Sequence, residues 1–233
     1  MKREPLGQSG ARTVGQSLAL TGVLAMTAGC VDAYAIIKMG TYVSFMSGNT
    51  TQGGSELGQF NWSGAWPALT AIGAFVCGSM VGHSFSYDKG GGMAHRMICG
   101  VSALLLAGYI FLSKGGLVGV GVSIAMLALS MGIMNAAASR VATQAVSLTF
   151  VTGTLNKIGG HLALALRGGE LADSVGSWDT PLRRAMLLAG VWFSFLFGAM
   201  VSGYMAPRFG AVVLGLPVVV LLGLAVFWRR PGG

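Results

Sequence analysis

The strongest constraint on this chain is a series of apolar stretches, each about as long as the roughly 20 residues that a bilayer-spanning helix needs. They lie near 17–37, 66–87, 95–113, 117–139, 184–206 and 210–228. Between them, 9% of the 233 residues are charged, against about 25% in an ordinary soluble domain. The shortage runs along the whole length, with mean hydropathy +0.69, which excludes a soluble domain carrying a single anchor. The 38 glycines fit a membrane fold, where small residues let helices approach closely. The expected class is therefore an all-α polytopic membrane protein with about six transmembrane helices.

The formal charge of +8 does not point to nucleic acid, because the basic residues are scattered at segment ends rather than gathered in a patch. With the N-terminus in the cytoplasm, Lys2, Arg3, Arg12, Lys89, Arg96, Arg167, Arg183, Arg184, Arg229 and Arg230 fall on that side. The other side receives Lys38, Lys114 and Arg208. Such an asymmetry predicts both termini in the cytoplasm of a multi-pass protein of the bacterial inner membrane. Tyr42, Trp62, Trp66, Trp178 and Trp228 sit near segment ends, where amphipathic rings anchor at the interface.

Thr27-Ala28-Gly29-Cys30 resembles a lipoprotein cleavage signal. The apolar stretch runs on past Cys30 to Ile37, however, and Thr27 stands where such signals prefer Leu, so a transmembrane cysteine is the reading taken. Cys30, Cys77 and Cys99 have no metal-ligand spacing, and neither a metal site nor a cofactor is expected. No Ser-His-Asp order, His-Glu-x-x-His pattern or phosphate-binding glycine loop is present, so the chain does not read as an enzyme.

One phrase recurs. Phe45-Met46-Ser47-Gly48-Asn49-Thr50 is echoed by Phe150-Val151-Thr152-Gly153-Thr154. Upstream, Gly29-Cys30-Val31-Asp32-Ala33 corresponds to Gly132-Ile133-Met134-Asn135-Ala136, with cations Lys38 and Arg140 following. Downstream, the run from Phe75 through Gly78 to Val81 corresponds to the run from Phe195 through Gly198 to Val201. Three matches in one order predict two related halves, residues 17–114 and 115–228, flanked by a cytoplasmic segment 1–16 and a tail 229–233. Three crossings per half is an odd number, so the second half is inverted relative to the first, and in transporters of that design the site lies between the repeats. The stretches 41–60 and 147–166 are too polar and glycine-rich for lipid-facing spans. They are expected to be interrupted or re-entrant turns, because non-helical backbone at membrane depth survives only against protein or a water-filled cavity.

Asp32 is the one carboxylate well inside an apolar segment. An ionised Asp there costs about 2.5–3.5 kcal/mol on insertion scales, so it should face the interior and have a partner. Two roles stay open for it: a proton, cation or ligand site, or a hydrogen bond that holds the broken turn. The candidate path is Asp32, Ser47, Gly48, Asn49, Thr50, Asn135, Thr152, Gly153 and Thr154, with Gly78, Gly82 and Gly198 as helix-packing positions. The expected function is passage of a small solute or ion between the halves. The alternative is a non-transporting scaffold or partner-binding subunit. Expected partners are the lipid bilayer, an unidentified small solute or ion, and a second copy of the chain in a homo-oligomer.

Four ordered phrases resemble the YoaK-like family of bacterial multi-pass membrane proteins, a family of unknown function. They are Ala28-Gly29-Cys30-Val31-Asp32-Ala33, Met46-Ser47-Gly48-Asn49-Thr50, Met131-Gly132-Ile133-Met134-Asn135-Ala136 and Val151-Thr152-Gly153-Thr154-Leu155. The resemblance covers nearly the whole chain and implies a polytopic inner-membrane protein. Ser47 stands where that family usually has Thr, and Met134 where it often has Gln.

Overall fold

The computed structural model describes residues 8–88, 91–138, 151–174 and 176–227. Eight α-helices follow one another among them: α1 Gln8–Met39, α2 Met46–Gly58, α3 Trp62–Asp88, α4 Gly91–Lys114, α5 Val120–Ala138, α6 Val151–Leu166, α7 Pro181–Phe209 and α8 Gly215–Phe227. No strand occurs among the described residues. Helix α1 begins well before residue 17, inside the segment expected to precede the first span. It runs unbroken through the buried Cys30. Lys2, Arg3, Lys89, Arg140, Phe150, Trp228, Arg229 and Arg230 lie outside the described residues.

Five helical stretches among the described residues are long and apolar enough to cross a bilayer: Ala19–Met39, Trp62–Phe85, Gly92–Lys114, Val120–Ala137 and Pro181–Phe227. The last is 47 residues long and would span about 70 Å as one straight helix, more than twice the hydrocarbon thickness. The structure divides it. Pro207 removes a helical N–H late in α7, and Gly210 adopts φ +59, a left-handed conformation that suits glycine. A 3₁₀ turn, Gly210–Leu214, then leads into α8, which packs on α4 rather than on α7.

The polar phrases are not where helix is lost. Ser47 to Gly54 all lie inside α2, which corrects the expectation of non-helical backbone there; the irregular stretch is the preceding loop, residues 40–45. Gly40 closes α1 with φ +67 and donates its N–H to the Ile36 carbonyl at 3.0 Å. After α2 the chain reverses through Gln59–Asn61, and Asn61 caps α3 by accepting from the Gly64 N–H at 3.1 Å. Helix α2 thus folds back on α3, bringing Gly53 against Ala68 and Leu69. Helix α6 packs on α7 in the corresponding place.

The two most extensive helix pairings are α1 with α7 and α3 with α5. Glycines set both. A Cβ on Gly29 would collide with the Phe195 carbonyl, and one on Gly198 with the Met26 carbonyl. In the other pair, a Cβ on Gly132 would collide with the Phe75 carbonyl, and one on Gly78 with the Leu129 carbonyl. Gly82 continues that seam: a Cβ there would come within 2.7 Å of the Ala136 Cβ and of the Ile133 carbonyl. Backbones this close exchange dispersion and Cα–H···O contacts that no larger residue would permit. The Gly78-x-x-x-Gly82 motif therefore serves a contact within one chain.

Smaller polar links tie α4 to its neighbours. Ser102 and Ser130 each donate a hydroxyl to the other's carbonyl, at 3.2 and 3.1 Å, joining α4 to α5. Tyr34 and Tyr109 share a hydroxyl hydrogen bond of 2.8 Å between α1 and α4. Arg96 donates to the Ala225 and Val226 carbonyls at 2.9 and 2.6 Å, satisfying carbonyls that the end of α8 leaves free.

Candidate functional site: Asp32 and the cleft beside it

Asp32 lies seven residues before the end of α1, 4% exposed, in the helix whose glycine face meets α7. Its Oδ1 accepts the backbone N–H groups of Val43 and Ser44, both at 2.8 Å, and its Oδ2 accepts the Ser44 hydroxyl at 2.8 Å. The acid thereby draws the 40–45 loop back along α1. Irregular backbone inside an apolar protein needs partners for its free N–H groups, and one carboxylate supplies them for two residues. Among the described residues no Lys, Arg or His nitrogen comes within 4.0 Å of Asp32; the recorded ion pairs there are those of Arg184 with Asp173 and Asp179. Lys38 is not its partner.

Beside Asp32 opens a cleft of about 330 Å³ lined by Gly29, Asp32, Ala33 and Ile36 of α1, Tyr42 and Phe45 of the loop, Val151 of α6, and Phe195 and Ala199 of α7. The surface of that cleft is almost wholly apolar, and Asp32, though among the residues that line it, is itself almost fully buried. Tyr42 and Phe45 stand edge to face with ring centroids 5.3 Å apart. Gly29, which brings α7 close, is also among the residues that line the cleft.

The other expected site residues disperse around this centre. Asn49 is fully buried; its Nδ2 donates to the Tyr42 carbonyl at 2.8 Å, while its Oδ1 has no partner among the described residues. It thus ties the first turn of α2 to the loop that Asp32 holds. Ser47 and Thr50 are exposed, Thr50 donating to the Met46 carbonyl at 2.8 Å, and Gly48 packs under Phe45 and Tyr42. In α6, Thr154 is buried and Thr152 exposed, the same alternation as Asn49 and Ser47 in α2, with Gly153 half-buried like Gly48. Asn135 lies on α5, away from the cleft lining, with a buried Oδ1 that has no partner among the described residues. Asp32 and Val151 are brought to one cleft; Asn135, Thr152 and Thr154 are not part of its wall.

Sequence reasoning passed over Ser44, Tyr42, Phe45 and Phe195. Phe45 and Phe195 each belong to a repeated phrase, a signal that could have marked them. Ser44 carried none, since half of its contribution is a backbone N–H.

A second polar cluster lies beyond the apolar part of α7. Thr180 caps that helix by accepting the Arg183 N–H at 3.3 Å, and Pro181 opens it. Arg184 pairs with the buried Asp179 at 2.6 Å and with the exposed Asp173 at 2.9 Å. The Arg184 guanidinium holds the Asp173 carboxyl below its ordinary value of 3.8. Arg183 lies over the Trp178 ring at 4.8 Å, which gives that tryptophan a cation–π partner.

The model of a family described as "Protein of unknown function (DUF1275)" matches residues 20–227. The chain belongs to this family. Helices α2 to α8, most of α1, the cleft and both glycine seams lie inside the matched range. The UPF0700 transmembrane protein YoaK of Bacillus subtilis (strain 168) is 26% identical over 212 residues, covering 88% of this chain and 91% of that protein. The UPF0700 transmembrane protein RA0705 of Rhizobium meliloti (strain 1021) is 28% identical over 214 residues, covering 90% of this chain and 86% of that one. No solved structure matches. Family and apolar helices together make this a membrane protein.

Proposed function

We propose that the protein moves a small solute or ion across the bacterial inner membrane, along a path between two inverted halves. The observation that carries this reading is the cleft of about 330 Å³ whose wall combines elements of both halves, with the buried Asp32 among its residues. A buried acid in a membrane helix is costly, and where one meets a cavity it marks an ion or substrate pathway by default.

The pairing of helices supports the two-fold arrangement. The interval from Gly29 to Gly132 also separates Met26 from Leu129 and Cys30 from Ile133; the interval from Gly78 to Gly198 also separates Phe75 from Phe195 and Ser79 from Ala199. In these terms the contacts of α1 with α7 repeat, residue by residue, those of α5 with α3. A pseudo-two-fold axis relating residues 17–114 to 115–228 generates that pattern. Six crossings follow if α7 and the chain after Gly210 each span, and the distribution of Lys and Arg then favours cytoplasmic termini.

Flux from proteoliposomes holding the full chain tests the reading, with imposed pH and potential gradients and a panel of small cations, anions and neutral solutes. Transport predicts at least one solute moving faster than in protein-free vesicles, and slower in Asp32→Asn. Rates equal to protein-free vesicles across the panel would overturn it. A second reading, a non-transporting scaffold, draws on the three hydrogen bonds by which Asp32 holds the loop. It predicts that Asp32→Asn shifts the melting temperature while no solute is moved by either form.

A further inference from the structure

Resting on the transport reading, we propose that the path has a second mouth, a groove on α3 opening to the membrane face opposite the Asp32 cleft, and that its solute is a small uncharged molecule. The groove has a volume of about 470 Å³, and Phe75, Ser79, Met80, His83 and Tyr87 are among the residues that line it.

Groove and cleft start from matching places on the two glycine seams. In the cleft, Phe195 and Ala199 of α7 stand where the Phe195 carbonyl faces Gly29. In the groove, Phe75 and Ser79 of α3 stand where the Phe75 carbonyl faces Gly132. Phe75 and Phe195 open the two copies of one repeated run, so Ser79 holds in the groove the place that Ala199 holds in the cleft.

The directions of the helices send the two cavities to opposite faces. A Cβ on Gly22 would come within 3.2 Å of the Ser194 hydroxyl, and one on Gly198 would meet the Met26 carbonyl, so α1 and α7 run parallel. Gly78 faces Leu129 and Gly82 faces Ile133, so α3 and α5 are parallel too. Tyr34 and Tyr109, each five residues before the end of its helix, share a hydroxyl bond that brings the ends of α1 and α4 to one face. The short link 115–119 then turns α5 back along α4, where Ser102 and Ser130 join them. Helix α3 therefore runs against α1 and α7. The cleft lies in the later part of α1, beyond the middle of α7, and the groove occupies the second half of α3. Each cavity thus leads toward its own face, the arrangement that a pseudo-two-fold axis in the membrane plane produces.

The walls set the chemistry of the occupant. Ser79, His83 and Tyr87 give the groove hydrogen-bonding groups beside Phe75 and Met80, and no Lys, Arg, Asp or Glu is among its described lining. The cleft is almost wholly apolar, and its one acid is buried with both oxygens already accepting from Val43 and Ser44. A charged solute would shed its water along such walls with nothing of opposite sign to replace it. A small neutral molecule with some hydrogen-bonding capacity suits both cavities, whose volumes lie in the lower part of the range for ligand pockets.

The test places single cysteines in the full chain, in a Cys77→Ser background: Ser79→Cys and His83→Cys for the groove, Ile36→Cys and Ala199→Cys for the cleft. A charged, membrane-impermeant thiosulfonate is applied to intact cells and to inverted membrane vesicles; it reacts with thiolates that water reaches. The groove positions should react in one preparation and the cleft positions in the other. Native Cys77, exposed on α3 but outside the groove lining, should react in neither. Reaction of both pairs from one face would overturn the second mouth. So would silence at both groove positions in variants that melt with the wild type, or Cys77 reacting as fast as Ser79→Cys.

Flux from proteoliposomes then reads the solute, with glycerol, urea and acetamide as uncharged probes and sodium, potassium and chloride as charged ones. At least one uncharged probe should outrun protein-free vesicles, indifferent to an imposed potential and slowed by prior reaction at Ser79→Cys. Flux of the ions alone would overturn the uncharged class. Labelling from opposite faces without flux of any probe would leave the two mouths standing and remove the transport reading. Flux with both groove positions silent would do the reverse.

Discussion

Asp32 grips Ser44 twice, taking its backbone N–H on Oδ1 and its hydroxyl on Oδ2, each at 2.8 Å. A single acid on an apolar helix therefore fixes an irregular loop beside a cleft, and stability measurements read that role directly.

Asp32→Ala should strand the Val43 and Ser44 donors and cost about 3 kcal/mol, since each buried unsatisfied group costs roughly 1–3. Ser44→Ala removes one hydroxyl bond and keeps the N–H, so its cost should be about 1 kcal/mol. Thermal unfolding in detergent ranks the two; melting of Asp32→Ala at the wild-type temperature would show that the loop stands without it.

Glycine position decides tolerance. Gly29→Ala, Gly78→Ala, Gly132→Ala and Gly198→Ala each push a Cβ into a facing backbone carbonyl and should cost about 1–3 kcal/mol as overpacking. Gly203→Ala, with nothing within 4 Å of its would-be Cβ, should be neutral or stabilise α7 by up to about 1 kcal/mol. Equal melting shifts at Gly198 and Gly203 would contradict the seam.

The Arg184 cluster predicts an acid limit. Arg184→Ala removes the guanidinium that donates to both oxygens of the buried Asp179 and should cost about 3–5 kcal/mol, whereas Asp173→Asn, at a fully exposed partner, should shift the melting temperature far less. Because Asp173 has its folded value held below 3.8, its contribution is fully present above that pH and disappears as the pH falls through the folded value. Melting curves from pH 6 down to 3 should show this acid-side loss in wild type and a smaller one in Arg184→Gln.

Topology is open to a direct chemical check. Cysteines placed at Lys38, Lys114 and Arg208 should react with an impermeant maleimide added outside intact cells, while cysteines at Arg167 and Glu170 should react after permeabilisation. Labelling of Arg208 and Arg167 positions from the same side would mean that α7 does not span.

Apolar length was enough to locate the long helices, because hydrophobic thickness imposes it directly. The division of the last apolar stretch into 184–206 and 210–228 falls where the backbone breaks, although apolarity there is continuous and one backbone torsion at Gly210 makes the break. Polarity misled at α2: Ser47 to Gly54 has few apolar residues, yet side chains such as Thr50 and Thr51 bond back to Met46 and Ser47 carbonyls and the backbone stays helical. Asp32 was legible as a charge in an apolar run. Its partners were not, because a backbone N–H has the same identity at every position. The glycine phrases were legible in the sequence, but not that α1 would meet α7 and α3 would meet α5; those pairings depend on surfaces meeting over long sequence distances.

The exchange of partners sets an order of assembly. Helix α1 ends at Met39, while α7, whose backbone it must meet, begins at Pro181. During synthesis the first helix is therefore made long before its groove exists, and it carries an acid. The hydrogen bonds to Val43 and Ser44 come from residues made immediately afterwards, so Asp32 can be sheltered by its own loop while the rest of the chain is still unmade. Those hydrogen bonds then act as an escort for a polar group in transit: a neighbour close in sequence stands in until the distant one arrives.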